Sequence, residues 1–289
     1  MIWFGFGLTV IDKAVIPAAG IGSRLLPVTK EMPKEMLPIF CKSQQNATCL
    51  KPVLHVIFEM LVDSGARNFC VVVGRGKRAV EDYFTVDDEF LDSLSATSSA
   101  ELASELATFY DRIRKSSIAF VNQQGSAGFG AAVLCSENFV GHDPFLLHAG
   151  DDLVMSQDGG HIARLKNAFS SLNADATFLV EHTQYPEKYG VIRATSLKTD
   201  LFEVHELVEK PRAPPSDLGV IAIYILRPIV FDYLRKVKPD RRKEIQLADA
   251  IQGMVRDGRR VFAVGLRSGE KRVDIGSPET YRDALRLVF

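Results

Sequence analysis

Apolar and polar positions along this chain follow two periods, and the changeovers mark its elements. Short unbroken apolar runs, AVIP at 14–17, FCVVV at 69–73 and FLLHA at 145–149, read as strands buried on both faces. Strands are expected over Asn68–Val73, Ser117–Asn122, Pro144–Ala149 and Ala176–Glu181. Between them apolar residues recur at helical spacing. Val53–Ser64, stopped by Gly65, is the clearest case, followed by Lys77–Phe84, Ala127–Glu137 and Gly160–Leu172. Ser93–Thr108 is rich in Ser, Ala and Glu and predicts one exposed helix. This alternation predicts an α/β fold with a doubly wound, mostly parallel sheet. From Gly190 the pattern changes. Gly190–Thr195, Phe202–Glu209 and Gly219–Leu226 read as strands without long helices between them, a mixed-strand extension over the site. Helices return at Ile229–Lys236, Gln246–Arg256 and Pro278–Val288, and Lys210–Asp217 is a proline-rich loop.

In such sheets ligands gather at the carboxyl ends of strands. The first strand ends in the small-residue turn Ala18-Ala19-Gly20-Ile21-Gly22, followed by Arg24 and, ten positions later, Lys34. Glycines let a backbone approach phosphates, and two permanent cations can meet phosphate charge. Arg24 has a bidentate fork suited to terminal phosphates, and Lys34 is a mobile point charge. The turn is not a Walker loop, because no Lys-Ser or Lys-Thr follows the second glycine. Nor is it the dinucleotide fingerprint, whose third glycine would stand at Leu25.

The full string, GxGxR-L-x-P-x-T followed by PKxML, resembles the signature of the sugar-1-phosphate nucleotidyltransferases, in particular the bacterial glucose-1-phosphate uridylyltransferases. The resemblance implies a Rossmann-like nucleotidyltransferase fold over 13–289, with a sugar-binding portion at about 186–226 and an N-terminal extension at 1–12. It implies transfer of a uridylyl group from UTP to glucose 1-phosphate, giving UDP-glucose and pyrophosphate. Use of dTTP or another sugar phosphate stays open, as does a non-catalytic homologue that binds nucleotide sugar. Arg24 and Lys34 match the family's catalytic cations. Ala18, Ala19, Gly20, Gly22, Gln124, Gly125 and Gly130 match its nucleotide frame, and Gly190, Glu209 and Lys210, in YGV and VEKP, its sugar-phosphate contacts. Asp151, in HAGDD, and Asp274, in VDIG, match its two metal acids, and two carboxylates favour a hard cation, Mg2+. Both are expected at the carboxyl edge of the one sheet. The string EIQL at 244–247 resembles the uridylyltransferase subfamily. Departures are Ala222 where a glycine is expected, a missing lysine near Gln124, and an apparent insertion at 41–50.

Composition narrows the partners. The 289 residues carry 35 basic and 36 acidic side chains, a formal net charge of -1, so no nucleic-acid or membrane surface is expected. The partners implied are UTP and glucose 1-phosphate, with a homo-oligomer, dimer or tetramer. Cys41, Cys49, Cys70 and Cys135 have no CxxC spacing and read as reduced thiols of a cytoplasmic enzyme; Cys41 and Cys49 are also placed to close a loop. The first ten residues are uncharged, too short to span a bilayer, and lack the marks of a signal peptide. They read as an extension leading into the first strand, with no role for Trp3 and Phe4.

Overall fold

The computed structural model describes residues 10–96, 100–125, 127–156 and 159–289, so Trp3 and Phe4 lie outside the described residues. The chain begins with β1 (Lys13–Pro17), the hairpin β2 (Pro38–Lys42) and β3 (Thr48–Pro52), then α1 (Val53–Asp63) and β4 (Asn68–Val73). Three helices follow, α2 (Arg78–Tyr83), α3 (Asp88–Ser95) and α4 (Ala100–Arg114), and then β5 (Ser117–Asn122). The middle holds α5 (Phe129–Leu134), α6 (Glu137–Val140), β6 (Phe145–His148), β7 (Asp152–Met155), α7 (Gly160–Ser171) and β8 (Ala176–His182). The last part runs β9 (Gly190–Lys198), β10 (Leu201–Glu209), β11 (Leu218–Leu226), α8 (Val230–Leu234), α9 (Leu247–Arg256), β12 (Val261–Gly265), β13 (Lys271–Asp274) and α10 (Pro278–Ala284).

Nine strands form one sheet in the order β5-β4-β1-β6-β11-β8-β12-β10-β9. The block β5-β4-β1-β6 is parallel, β11 runs against both its neighbours, β8 and β12 are parallel, and β10 and β9 pair antiparallel. Both faces are covered, which is why its strands read as continuous apolar runs. Along β1 the period of two sends Ala14 and Ile16 into one core and Val15 into the other.

The first core shows how helix pattern becomes packing. Val53, Leu54, Ile57, Phe58 and Leu61 of α1 are all buried, one stripe at helical spacing. Phe58 meets the rings of Phe69, Phe84 and Phe109 with centroids 4.8, 5.2 and 5.9 Å away. Burying one such ring contributes about 2–3 kcal/mol. Phe109, Tyr110 and Ile113 come from α4, so the helix expected over Ser93–Thr108 is wrong in both extent and exposure. The segment is two helices. Asp87 caps α3 by accepting from the Phe90 N–H at 2.9 Å, and the apolar anchors of α4 lie beyond Thr108.

Two small sheets were not foreseen. The insertion at 41–50 folds as the β2–β3 hairpin, with Cys41 directly opposite Cys49 and all four cysteines free. β13 pairs antiparallel with β7, apart from the main sheet, placing Asp274 opposite Asp152. Asp274 is therefore carried by this ribbon and not by the edge of the large sheet. No helix among the described residues is long and apolar enough to cross a membrane.

Candidate active site

The carboxyl ends of β1 and β6 open on a cavity of about 570 Å3. The turn after Pro17 forms one wall through Ala19, Gly20, Gly22 and Arg24. Gly22 has a φ of 71°, in the region that favours glycine, and its carbonyl accepts from Thr29 Oγ1 at 2.8 Å, which ties the turn down. Gly74, just past β4, is packed against the turn so closely that a Cβ there would stand 2.9 Å from the Ala19 oxygen.

Lys34 reaches the same wall from a short 3-10 turn, Lys34–Met36. Its ammonium pairs with the Asp151 carboxylate. What fixes Lys34 is its neighbour. Glu35 is 1% exposed and accepts from Lys77 Nζ at 2.7 Å, a buried ion pair that pins the turn to the segment after β4. A buried pair of this kind is costly to break, because one charge is then left uncompensated.

Asp151 follows β6, and the Ile275 N–H donates to its carbonyl at 3.2 Å, so the segment carrying Asp274 lies against it. Gly276 N–H donates to Asp274 Oδ1 at 2.7 Å. A Cβ on Gly276 would come within 2.8 Å of both that oxygen and Arg24 Nη2, so Arg24, Asp274 and the Gly276 turn meet at one point. The charges are coupled. Burial alone would raise the Asp151 pKa, but the Lys34 ammonium outweighs it and holds the carboxyl below its usual range. Burial alone would lower that of Lys34, yet Asp151 raises it. Asp274 has its pKa raised, first by burial and then by the negative charges of Asp152 and Asp151. Among the described residues no three His, Cys, Asp or Glu side chains converge as a ready metal cage. Asp151 and Asp274 are nonetheless hard oxygen donors, and a cation beside Asp274 would relieve its crowding.

The far wall comes from the start of β9 and the end of β10. Gly190 and Glu209 are register partners, and a Cβ on Gly190 would stand 3.2 Å from Glu209 Oε2. Glu209 also pairs with Lys210 Nζ at 3.1 Å, and all three residues line the cavity.

Four expected nucleotide contacts are placed elsewhere. Ala18 is fully buried, its N–H donating to Val72 O at 2.7 Å. Gln124 and Gly125 are exposed and off the cavity wall, and the wall position is taken by Gln123, which donates to Gly128 O at 3.3 Å. Gly130 is buried against α8 and the 244–247 segment, where a Cβ would stand 2.8 Å from Ile245 O. The EIQL string has a structural part: Ile245 N–H donates to Ala127 O, and Gly130 N–H to Ile245 O, both at 2.8 Å, while Glu244 and Gln246 face the cavity.

Sequence reasoning also missed Arg272. It lies two residues before Asp274 in β13, and that i, i+2 spacing in KRVD was the available signal, since it puts both side chains on one strand face. Its guanidinium holds Asp152 bidentately, Nε to Oδ1 and Nη2 to Oδ2, each at 2.8 Å.

The sequence of residues 13–288 matches the nucleotidyl transferase family. A UTP–glucose-1-phosphate uridylyltransferase of Pseudomonas aeruginosa is 32% identical over 286 residues, covering 97% of this chain and 96% of that protein. One of Bacillus subtilis is 34% identical over 276 residues, covering 92% and 87%. Among solved structures, UDP-glucose pyrophosphorylase in complex with UDP-glucose superposes with a TM-score of 0.81 at 33% identity, over 96% of this chain and 98% of that one. UTP-bound UGPase from Acinetobacter baumannii gives 0.82 at 29% identity, over 96% and 93%.

Proposed function

The chain belongs to the nucleotidyl transferase family, and from that premise we propose that it transfers a uridylyl group from UTP to glucose 1-phosphate. The observation that carries the reading is the cavity itself. Two cations and two acids, Arg24, Lys34, Asp151 and Asp274, line one side, and the Gly190–Glu209 pair lines the other.

The chemistry is an in-line displacement. A phosphate oxygen of the sugar phosphate attacks the α-phosphorus of UTP, its bond to the β-phosphate bridge breaks, and pyrophosphate leaves. Such a reaction needs two anions brought together and their charge spread. Arg24, beside the glycine turn, serves the β- and γ-phosphates with its fork, and Lys34 serves the α-phosphate. Lys34 enters this role by leaving Asp151, whose charge it now balances. Asp151 and Asp274 would hold Mg2+, which supplies positive charge at the phosphates, with the remaining oxygen ligands coming from nucleotide and water. Asp152 is not free for that task, since its carboxylate accepts from Arg272 and from the Ala222 N–H at 3.1 Å.

On the sugar side Glu209 bridges neighbouring hydroxyls, Gly190 lets the backbone come close, and Lys210 grips the phosphate. Ala19, Gly20 and Gly22 approach the nucleotide phosphates. Gln123 replaces Gln124 as the amide facing the pyrimidine, able both to donate and to accept. The proposal extends to a homo-oligomer in the cytoplasm, where the four free thiols are stable.

Pyrophosphate release measured across UTP, dTTP and other triphosphates, each with several sugar 1-phosphates, tests the reading. UTP with glucose 1-phosphate is expected to be the best pair by at least about tenfold in kcat/KM. A faster pair reassigns the specificity, and no release from any pair leaves a nucleotide-sugar binder.

A further inference from the structure

We infer that Arg272 is a positioning residue that couples the sugar half of the site to the acid pair, by clamping Asp152 with its fork while stacking its flat face on Tyr189. The inference rests on the proposed function and concerns residues to which that proposal gives no role.

Each side of the Arg272 group meets a different element. Its fork holds Asp152 at the start of β7, one residue after Asp151. Asp152 Oδ2 is itself fixed by the Ala222 N–H of β11 at 3.1 Å. The remaining arm, Nη1, lies 3.5 Å from Glu181 Oε1 of β8. The guanidinium carbon sits 4.2 Å from the Tyr189 ring centroid. The Arg272 side chain is only 9% exposed, so the contacts are weakly screened.

The position of Tyr189 gives this stack its consequence. It is the residue before Gly190, where β9 begins, and β9 is the edge of the nine-stranded sheet. Beyond β10, β9 has a single register contact, Gly219 to Val191 of β11. The start of an edge strand has few backbone bonds to hold it. Tyr189 has two, its N–H donating to Pro186 O at 3.2 Å and its carbonyl accepting from the Lys210 N–H at 3.0 Å, which join it to its own turn and to the other sugar-side residue and not to the rest of the cavity. Arg272 makes the missing link. Asp274 lies on the same face of the same short strand, so a shift of Tyr189 and Gly190 is felt at the acid pair and the reverse. Lysine cannot replace this group, because one ammonium cannot hold a carboxylate with two parallel bonds and stack as a plane.

Calorimetric titration of UDP-glucose and of UDP, both in EDTA, separates a sugar effect from a nucleotide effect without metal or turnover. The proteins are the parent chain, Tyr189→Phe, Tyr189→Ala, Arg272→Lys and the double variant Tyr189→Ala/Arg272→Lys. Tyr189→Ala and Arg272→Lys are each expected to weaken UDP-glucose about tenfold and UDP less than about twofold, in line with a desolvated cation–ring contact. Tyr189→Phe keeps the ring and is expected to match the parent, and the double variant to be no worse than the poorer single one. Equal loss for both ligands, additive losses in the double variant, or a Tyr189→Phe loss equal to that of Tyr189→Ala would overturn the coupling. Should Arg272→Lys fail to fold, the Tyr189 pair decides alone. A parent chain that binds neither ligand refutes the uridylyl reading instead, and this inference with it.

Discussion

Gly276→Ala is expected to leave the fold intact and cut turnover about a hundredfold. The added Cβ would stand 2.8 Å from Arg24 Nη2 and 2.8 Å from Asp274 Oδ1, where ordinary contact begins at 3.4 Å. Both side-chain ends must therefore retreat by about 0.6 Å, which is 3.4 less 2.8. The obstructing atoms are the tips of flexible side chains, and Gly276 is not among the positive-φ glycines, so the backbone bears little strain. The cost falls on geometry. A misplacement near 1 Å at a reacting centre is worth about 10²-fold in rate, or about 2.7 kcal/mol of barrier. Gly258→Ala is the mirror control. It has a φ of 73° and nothing within 4 Å, so it should lose about 1–2 kcal/mol of stability through left-handed backbone strain and keep full activity. Steady-state pyrophosphate release with thermal melting of both variants is the assay. Normal turnover in Gly276→Ala would refute the claim that Arg24 and Asp274 act from the positions they occupy here.

Arg24→Ala and Lys34→Ala should each lower kcat by about 10²–10³-fold or more, the second also lowering the melting temperature because Asp151 loses its partner, and near-normal release in either would remove that residue from the reaction. EDTA should abolish turnover and Mg2+ or Mn2+ restore it. The double variant Asp151→Asn/Asp274→Asn should be no slower than its poorer single parent, whereas multiplied losses would mean separate tasks. Away from the site, Glu59 is half-buried beneath the hairpin. Burial would raise its pKa, but the neighbouring His55, 3.3 Å away, and the bond from Lys51 win and draw it down to about 2. A depressed carboxylate stabilises the fold above its unfolded pKa, so about 3 kcal/mol should be present above about pH 4.5 and be lost as pH falls toward about 2. Melting curves across that range should show Glu59→Gln with a shallower acid slope than the parent, and identical slopes would exclude the linkage.

The parts of the molecule legible in the sequence are those set by local pattern. α1 could be read because its apolar stripe and Gly65 lie within one window, and the parallel block because strands buried on both faces leave unbroken apolar runs. Arg24 and Lys34 stood out because a glycine turn after a strand has a fixed place in such a sheet. What stayed hidden depends on long-range pairing. The β7–β13 ribbon joins segments whose four-residue strands carry no length signal. Gln123 and Gln124 have the same chemistry, and only the bend after β5 decides which faces the cavity. The inward role of α4 was masked by its Ser- and Ala-rich start, because its anchors Phe109, Tyr110 and Ile113 come late.

The β7–β13 ribbon also sets an order in time. At about 5–20 residues per second of synthesis, the 123 positions from Asp151 to Asp274 (274 − 151) take roughly 6–25 s to make. Through that interval the nascent chain holds Lys34, Asp151 and the glycine turn, but Asp152 has no counter-charge and Asp151 no second acid. Arg272 and Asp274 then emerge together on one strand. The group that neutralises the waiting carboxylate and the group that completes the acid pair thus stand two residues apart on one short strand, so the pairing that seats one also seats the other.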